Sequence, residues 1–143
     1  MDFGKEFNKY LADIAVMTVK LHNLHWNVEG ETFMSIHKFT ESEYEKFFDR
    51  MDAVAEIFRM FDVIPCSTMK EFLEITNIEE IPARKFGCKE VLKIYLKDIE
   101  LLKAEAIELR KYANEKDWFM TVDLLEDHVN DYNKQIWFVK ASL

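Results

Sequence analysis

Residues 20–30 read KLHNLHWNVEG, and this stretch, together with the residues that follow it at fixed spacing, decides the fold. It contains His22 and His25, and His37 follows shortly after, so three of the four histidines lie close together in the chain. Two carboxylates come next, in the run DAVAE at residues 52–56. Imidazole and carboxylate side chains together form a ligand set that suits iron or zinc.

The spacing of these residues argues against a metal site within one chain. No Gly or Pro occurs between Phe33 and Asp62, so we predict one unbroken helix there. On such a helix His37 lies about 22 Å from Asp52 and about 28 Å from Glu56. Yet His37, Asp52, Glu56 and also Glu41 fall within an arc of about 100° on the helix surface.

The apolar stripe of the same helix lies elsewhere on its circumference, and it consists of Ile36, Phe47, Met51, Val54, Phe58 and Phe61. The candidate ligands therefore point away from the core of their own chain. If two copies of the helix pack antiparallel about Glu45, His37 of one copy meets Asp52 and Glu56 of the other. His25 then arrives from the end of the preceding helix, and the site forms between subunits.

The rest of the chain predicts three further long helices. Apolar residues at alternating steps of four and three indicate a helix from Phe3 to about Val28. The short connection 29–32 returns the chain antiparallel, with Gly30 allowing a turn through positive φ. Apolar residues in heptad register predict helices from about Lys89 to Glu115 and from about Trp118 to Ala141.

One long connection, from Val63 to about Gly87, separates the second and third long helices. Residues 68–71 (TMKE) have capping-box spacing and predict a short helix within this crossover. Asp117 is predicted to be the N-cap of the last helix. Four long helices with a single crossover after the second define an all-α, ferritin-like four-helix bundle, and we expect residues 1–143 to form a single domain.

Composition limits the functional classes. The net charge is −8, which argues against general affinity for nucleic acid or anionic membranes and favours a surface that attracts cations. Cys66 and Cys88 have no CxxC spacing, and we expect reduced thiols in a cytoplasmic protein. Charged residues interrupt the N-terminal segment, so we expect no signal peptide. No segment is apolar for long enough to span a bilayer.

Ferritin-like di-iron sites inside a bundle use Glu-x-x-His pairs. The residues three positions before the four histidines are Val19, His22, Met34 and Leu125, so no such pair exists. This absence also favours an interface site over a centre within the bundle.

The pattern HxxHWNVxG at residues 22–30, then Phe33, His37 and DxxAE at residues 52–56, resembles the Dps-like miniferritins. The similarity covers essentially the whole chain. It implies a four-helix bundle, a dodecameric hollow shell built through two-fold and three-fold contacts, and iron sites at two-fold interfaces. The matching ligand positions are His25, His37, Asp52 and Glu56. The chain departs from the family at Ile57, where Arg is common, and at residues 63–64, where many members have a Gly-Gly turn.

Other residues near the motif carry two interpretations each. Glu41 either binds a second iron through water or is a solvated glutamate. His22 either orients a ligand or is a satisfied core or interface residue, and His128 is interpreted as a satisfied core or interface residue. Trp26 and Tyr44 either quench oxidising equivalents beside the metal, as the resemblance suggests for Trp26, or pack at the interface.

Acidic residues near the start of the last helix, Glu115, Asp117 and Asp123, either line three-fold pores through which ferrous iron enters or belong to caps and solvated surface. Phe48 and Ala55 share the face of the ligands without a polar role, so we assign them to the two-fold contact.

The leading functional hypothesis is a ferroxidase that stores iron and protects against oxidative stress. The resemblance implies two Fe(II) ions oxidised together, with hydrogen peroxide preferred over dioxygen, and ferric mineral stored in the cavity; zinc could substitute at the ligands. The alternatives are a non-enzymatic nucleoid protein that coats DNA and a shell that acts by surface contact, for example as an immune stimulus. DNA binding is disfavoured, because phosphate contacts need Lys and Arg clusters and the chain is acidic, and we expect no basic tail beside the helices. A zinc hydrolase ranks last, since nothing in the chain supplies a substrate pocket.

Overall fold

The computed structural model describes residues 1–143 and contains four long helices and one short helix. The elements are α1 (Phe3–Asn27), α2 (Phe33–Met60), α3 (Met69–Ile75), α4 (Cys88–Glu115) and α5 (Phe119–Ser142). The predicted all-α, ferritin-like bundle with a short helix in its crossover is confirmed, with helix ends within a residue or two of those expected. No helix of the chain is both long enough and apolar enough to cross a membrane.

Helix α1 is the centre of the bundle. Every residue from 10 to 18 is buried, because α2, α4 and α3 all pack against α1. Large side chains from each long helix fill the core, among them Tyr10, Phe47, Tyr95 and Tyr132, all 0% exposed. Burial of this apolar surface is the main force that holds the helices together.

Burial on several sides places two charged residues of α1 inside the protein. Lys20 Nζ lies 2.6 Å from Asp98 Oδ2 and donates a hydrogen bond of 2.6 Å to the Glu79 carbonyl oxygen. Burial raises the pKa of Asp98, and Lys20 opposes that rise. The carboxylate of Asp13 accepts hydrogen bonds from the Thr76 hydroxyl and the Asn77 backbone amide, both of 2.6 Å. These contacts fix the crossover along α1.

The crossover helix begins as its sequence predicts. The Thr68 side chain accepts from the Glu71 amide at 3.2 Å, and the Glu71 carboxylate accepts from the Thr68 hydroxyl at 2.8 Å and from the Ser67 amide at 3.1 Å. These bonds satisfy amides that a helix start otherwise leaves without partners.

A pair of two-residue strands, which the sequence analysis did not predict, joins the first connection to the end of the crossover. β1 (Val28–Glu29) pairs in parallel with β2 (Phe86–Gly87). Gly30 follows with φ of +138°, which confirms the predicted positive φ. A Cβ at this glycine would lie 3.0 Å from the Cys88 sulfur, so a side chain there would also crowd the thiol.

The prediction that Asp117 is the N-cap of the last helix is wrong. Asp117 has φ of +58°, and the cap residue of α5 is Trp118, which makes no side-chain capping bond. The Trp118 amide bonds to the Ala113 carbonyl at 3.0 Å, and the Asp117 amide bonds to the Asn114 carbonyl at 3.2 Å. Asp117 is thus the left-handed residue that closes α4, a role that Asp and Asn tolerate better than most residues.

Candidate metal centre

Two imidazoles are locked against each other where α1 ends and α2 begins. His25 Nδ1 lies 2.7 Å from the His37 carbonyl oxygen, and His37 Nδ1 lies 2.9 Å from the His25 carbonyl oxygen. The two rings stack with centroids 3.7 Å apart and an interplanar angle of 15°. Because a carbonyl oxygen only accepts hydrogen bonds, both Nδ1 atoms carry a proton and donate.

This arrangement fixes the tautomer of both histidines. With Nδ1 protonated, the neutral ring keeps its lone pair on Nε2, which is the form that a metal-binding histidine takes when its other nitrogen donates to a carbonyl. His25 is buried, and His37 is half-buried. The chain therefore holds two imidazoles in a metal-binding form before any ion is present.

Thr40 supports this pair and was not predicted from the sequence. The hydroxyl of Thr40 is fully buried, donates to the Ile36 carbonyl at 2.8 Å and lies 3.1 Å from His25 Nδ1. It also lies 3.0 Å from the His37 carbonyl, the acceptor of His25. The only sequence feature that indicates this role is the position of Thr40 three residues after His37. A threonine hydroxyl in a helix commonly bonds to a carbonyl of the preceding turn, and here that turn contains His37.

The acidic residues lie on the exposed surface of the same helix. α2 runs without a break from Phe33 to Met60, as the distance argument requires. Glu41, Asp52 and Glu56 are all exposed, and none of them forms an ion pair or a hydrogen bond within the chain. The chain by itself brings no three His, Cys, Asp or Glu side chains together around a common point. The imidazole half and the carboxylate half of the candidate centre are therefore separate in a single copy.

The neighbouring aromatic residues form one cluster with His22. The His22 ring stacks on Tyr44 at 3.8 Å, its Nδ1 donates to the Thr18 carbonyl at 2.7 Å, and the Trp26 ring lies 5.3 Å away. Tyr44 meets His25 edge-on at 5.3 Å. Partial loss of solvent, and then the charges of Glu41 and Glu45, raise the pKa of Tyr44.

Two acidic groups in the interior of the bundle are already paired with protein cations. Lys46 Nζ lies 3.0 Å from Glu43 and 3.2 Å from Asp131, and Arg50 also pairs with Asp131. The hydroxyl of Tyr95 donates to Glu43. These contacts explain why Glu43 and Asp131 are not free to bind a metal.

The remaining predicted residues lie apart from this centre. Glu115, Asp117 and Asp123 are exposed near the turn between α4 and α5, and their pore role stays a prediction. Phe48 is 61% exposed on the face of α2 that carries the acids. Cys66 and Cys88 are free thiols, as expected. His128 is buried in the core, which is one of the two positions expected for it.

Comparison with known proteins agrees with this architecture. A family profile described as the ferritin-like domain matches residues 4–143. The chain is 35% identical over 139 residues to a DNA protection during starvation protein of Helicobacter pylori, covering 96% of each chain. It is 34% identical over 136 residues to DNA protection during starvation protein 2 of Bacillus anthracis, covering 95% of this chain and 92% of the relative.

Solved structures give the same result. The crystal structure of Helicobacter cinaedi CAIP superimposes with a TM-score of 0.96 at 32% identity, covering 99% of both chains. Dps from Listeria monocytogenes superimposes with a TM-score of 0.93 at 31% identity, covering 99% of this chain and 92% of that one. The chain belongs to the ferritin-like family and, within it, to the Dps-like proteins.

Proposed function

We propose that this protein is an iron-storing ferroxidase whose reactive sites lie between two copies of the chain. His25 and His37 of one copy, with Asp52 and Glu56 of the partner subunit, bind Fe(II) as substrate. The observation that carries the proposal is the locked pair of imidazoles, which presents two metal-binding nitrogens and has no carboxylate beside it in its own chain. Exposed, unpaired carboxylates farther along α2 supply the complementary half.

The chemistry follows from the ligand set. Neutral imidazoles and carboxylates bind Fe(II) and stabilise Fe(III), since the carboxylates offset the added charge. Glu41 lies on the same face and would hold a second ion through water. Two Fe(II) ions that react together give hydrogen peroxide two electrons and, with two protons, form two waters, so no hydroxyl radical is released. Hydrogen peroxide is the preferred oxidant and dioxygen the slower one.

Zinc would bind the same nitrogen and oxygen ligands without being oxidised, and one Listeria innocua Dps structure was obtained after soaking in zinc.

Assembly supplies storage. We propose a dodecameric hollow shell, in which Phe48 and Ala55 contribute to the two-fold contact and ferric mineral collects inside. The net charge of −8 per chain favours entry of cations, and Glu115, Asp117 and Asp123 are the candidate residues for the pores. Two large apolar side chains close to these acids, Phe119 at 79% exposure and Met120 at 44%, suit a subunit contact around such a pore.

The names of the relatives raise direct DNA binding as a second function. The charge of this chain opposes it, because phosphate contacts require Lys and Arg clusters and an acidic surface repels the duplex. We therefore assign any protection of DNA to removal of iron and peroxide. A gel shift at low salt without divalent cations should show no retarded DNA.

Peroxide-driven oxidation of Fe(II) tests the site. His37→Ala and Asp52→Ala should each lower the initial rate strongly, because each removes one half of the ligand set. Glu74→Ala is the matched control, since Glu74 is an exposed acid on α3 without an ion pair and its loss changes the charge as Asp52→Ala does. Wild-type rates in both site variants would exclude the proposed ligands.

A further inference from the structure

A hydrogen-bonded group of three side chains lies in the core between α1 and α5, where the iron chemistry does not use it. The Tyr10 hydroxyl is 2.9 Å from His128 Nδ1 and 2.7 Å from the Tyr132 hydroxyl. Tyr10 and Tyr132 are 0% exposed and His128 is 3% exposed. Packing alone needs no hydroxyl here, because phenylalanine would fill nearly the same volume.

The direction of the hydrogen bonds follows from counting donors and acceptors. Tyr132 has no polar partner other than Tyr10, so its buried proton is satisfied only if it donates to the Tyr10 oxygen. Tyr10 must then donate to His128 Nδ1, which acts as the acceptor. Burial, reinforced by the charge of Arg50, lowers the pKa of His128 to about 3, so the ring is neutral and able to accept. Burial also raises the pKa of both tyrosines, to about 12 for Tyr132, so both phenols keep their protons.

A phenol that donates to a neutral imidazole is suited to losing an electron. Removing an electron alone from a buried phenol would leave a positive charge on its ring, and an unpaired charge in the interior is costly. If the proton moves to the hydrogen-bonded nitrogen at the same time, the oxidised tyrosine becomes a neutral phenoxyl radical and the positive charge passes to His128. Burial makes this imidazole a weaker base than usual, but it is still a far stronger base than an oxidised phenol. The hydrogen bond from Tyr132 then stabilises the radical oxygen.

A series of aromatic rings links this group to the surface. Tyr10 stacks on Phe7 with centroids 6.4 Å apart, Phe7 lies 5.0 Å from Phe3, and Phe3 lies 5.0 Å from Trp118. Trp118 is half-buried in the turn between α4 and α5, with Tyr112 beside it at 5.7 Å. The rings form a continuous path from a readily oxidised indole at the surface to the phenol in the core.

We propose that Tyr10 and His128 form a redox-active pair that supplies single electrons to oxidants reaching Trp118. The oxidant is of the hydroxyl-radical class, formed when a lone Fe(II) meets hydrogen peroxide. It takes one electron through Trp118 and one proton from solvent and becomes water. The electron comes from Tyr10, whose O–H bond breaks while an N–H bond forms on His128 Nδ1.

Fe(II) then returns one electron to Tyr10, and the proton moves back from His128. The oxidant and the returning electron both come from the iron chemistry of the proposed function. The prediction that Tyr10 and His128 can be oxidised does not depend on that function. The site therefore limits the damage done by iron that reacts outside the two-ion centre.

Flash oxidation of the metal-free protein tests the pair without using the iron site. Ruthenium(II) tris(bipyridine) with persulfate generates a one-electron oxidant in solution, and electron paramagnetic resonance detects the radical. We expect a long-lived phenoxyl signal in wild type and its loss in Tyr10→Phe. His128→Gln should also lose it, because the amide keeps a hydrogen-bonding group at this position but cannot take the proton. Trp118→Phe should lower the yield, and an unchanged yield would exclude the proposed path.

Tyr95→Phe is the matched control. Tyr95 is equally buried, and its hydroxyl also donates a hydrogen bond, to Glu43. Its ring packs against Phe39 and not against the aromatic rings that lead to Trp118. The control should keep the wild-type signal. A signal that survives Tyr10→Phe and disappears in Tyr95→Phe would overturn the proposal. A measurement on wild type alone guards against misfolded variants: the signal should narrow in D₂O, because the radical oxygen accepts exchangeable hydrogens from Tyr132 and from the imidazolium. Absence of narrowing would contradict the assignment even if the variants do not fold.

Discussion

A centre divided between two chains predicts that two inactive variants restore activity to each other. One variant carries His25→Ala and His37→Ala, and the other carries Asp52→Ala and Glu56→Ala. Each variant alone has no complete site. In a two-fold pair that contains one copy of each, one site receives both intact halves and the other site receives neither. Random assembly of equal amounts makes half of the pairs mixed, so about a quarter of all sites are complete.

The assay is the initial rate of ferric absorbance after hydrogen peroxide is added to Fe(II)-loaded protein, corrected for the rate without protein. Co-expressed and co-assembled variants should reach about a quarter of the wild-type rate per chain. The same variants assembled separately and then mixed should stay inactive, which controls for trace wild-type protein. If native mass spectrometry shows mixed assemblies and no activity returns, the division of ligands between chains is wrong.

Three further predictions concern buried ionisable groups. Lys20→Ala should lower the free energy of unfolding by roughly 3 kcal/mol or more in guanidinium titrations, because it leaves the buried carboxylate of Asp98 without its cation. An unshifted unfolding midpoint would show that water replaces the lysine. The pKa of His128 is lowered from 6.5 to about 3, so between pH 6.5 and 3 the unfolded state binds a proton that the folded state does not bind. The contribution of His128 to stability should therefore fall by about 1.4 kcal/mol for each unit that the pH is lowered between 6.5 and 3. The measured pH profiles of wild type and His128→Gln should differ by this slope, whatever other groups titrate in the same range. Burial, a hydrogen bond with Asp13 and the negative charge of Asp13 together raise the pKa of Glu105 from 4.5 to about 9. Between pH 4.5 and 9 the folded state therefore binds a proton that the unfolded state has lost, and the contribution of Glu105 to stability should decline as pH rises through this range. Glu105→Gln should flatten that decline, because its amide donates to Asp13 at every pH; an unchanged pH profile would show that the two groups do not share a proton.

The helices were predictable because their sequences satisfy several local rules at once. Each long helix has a regular apolar periodicity and no internal proline, and Gly30 and the Thr68 cap mark boundaries that the structure confirms. The unbroken α2, on which the interface argument depends, follows from the same pattern. The assignment of ligands to two chains stays a prediction, but the geometry of the two imidazoles supports it.

Features that depend on contacts between distant residues were not predictable. The Tyr10–His128 bond joins residues far apart in sequence, and the β1–β2 pair has too little periodicity to leave a signal. Lys20 reads as a surface residue until three helices are known to cover α1. The error at Asp117 has a different cause: aspartate suits both an N-cap and a left-handed helix end, so residue identity alone does not separate these roles.

The reciprocal hydrogen bonds between His25 and His37 also bear on when the protein begins to work. They fasten the end of α1 to the start of α2 within one copy, so a newly synthesised chain already holds its nitrogen donors in their final orientation. A single chain places no carboxylate beside these two imidazoles to complete a metal site. If the proposed centre is correct, catalysis begins only when two copies meet, and at great dilution its onset should rise with the square of protein concentration. Under the same proposal, a chain still on the ribosome would carry out no iron oxidation.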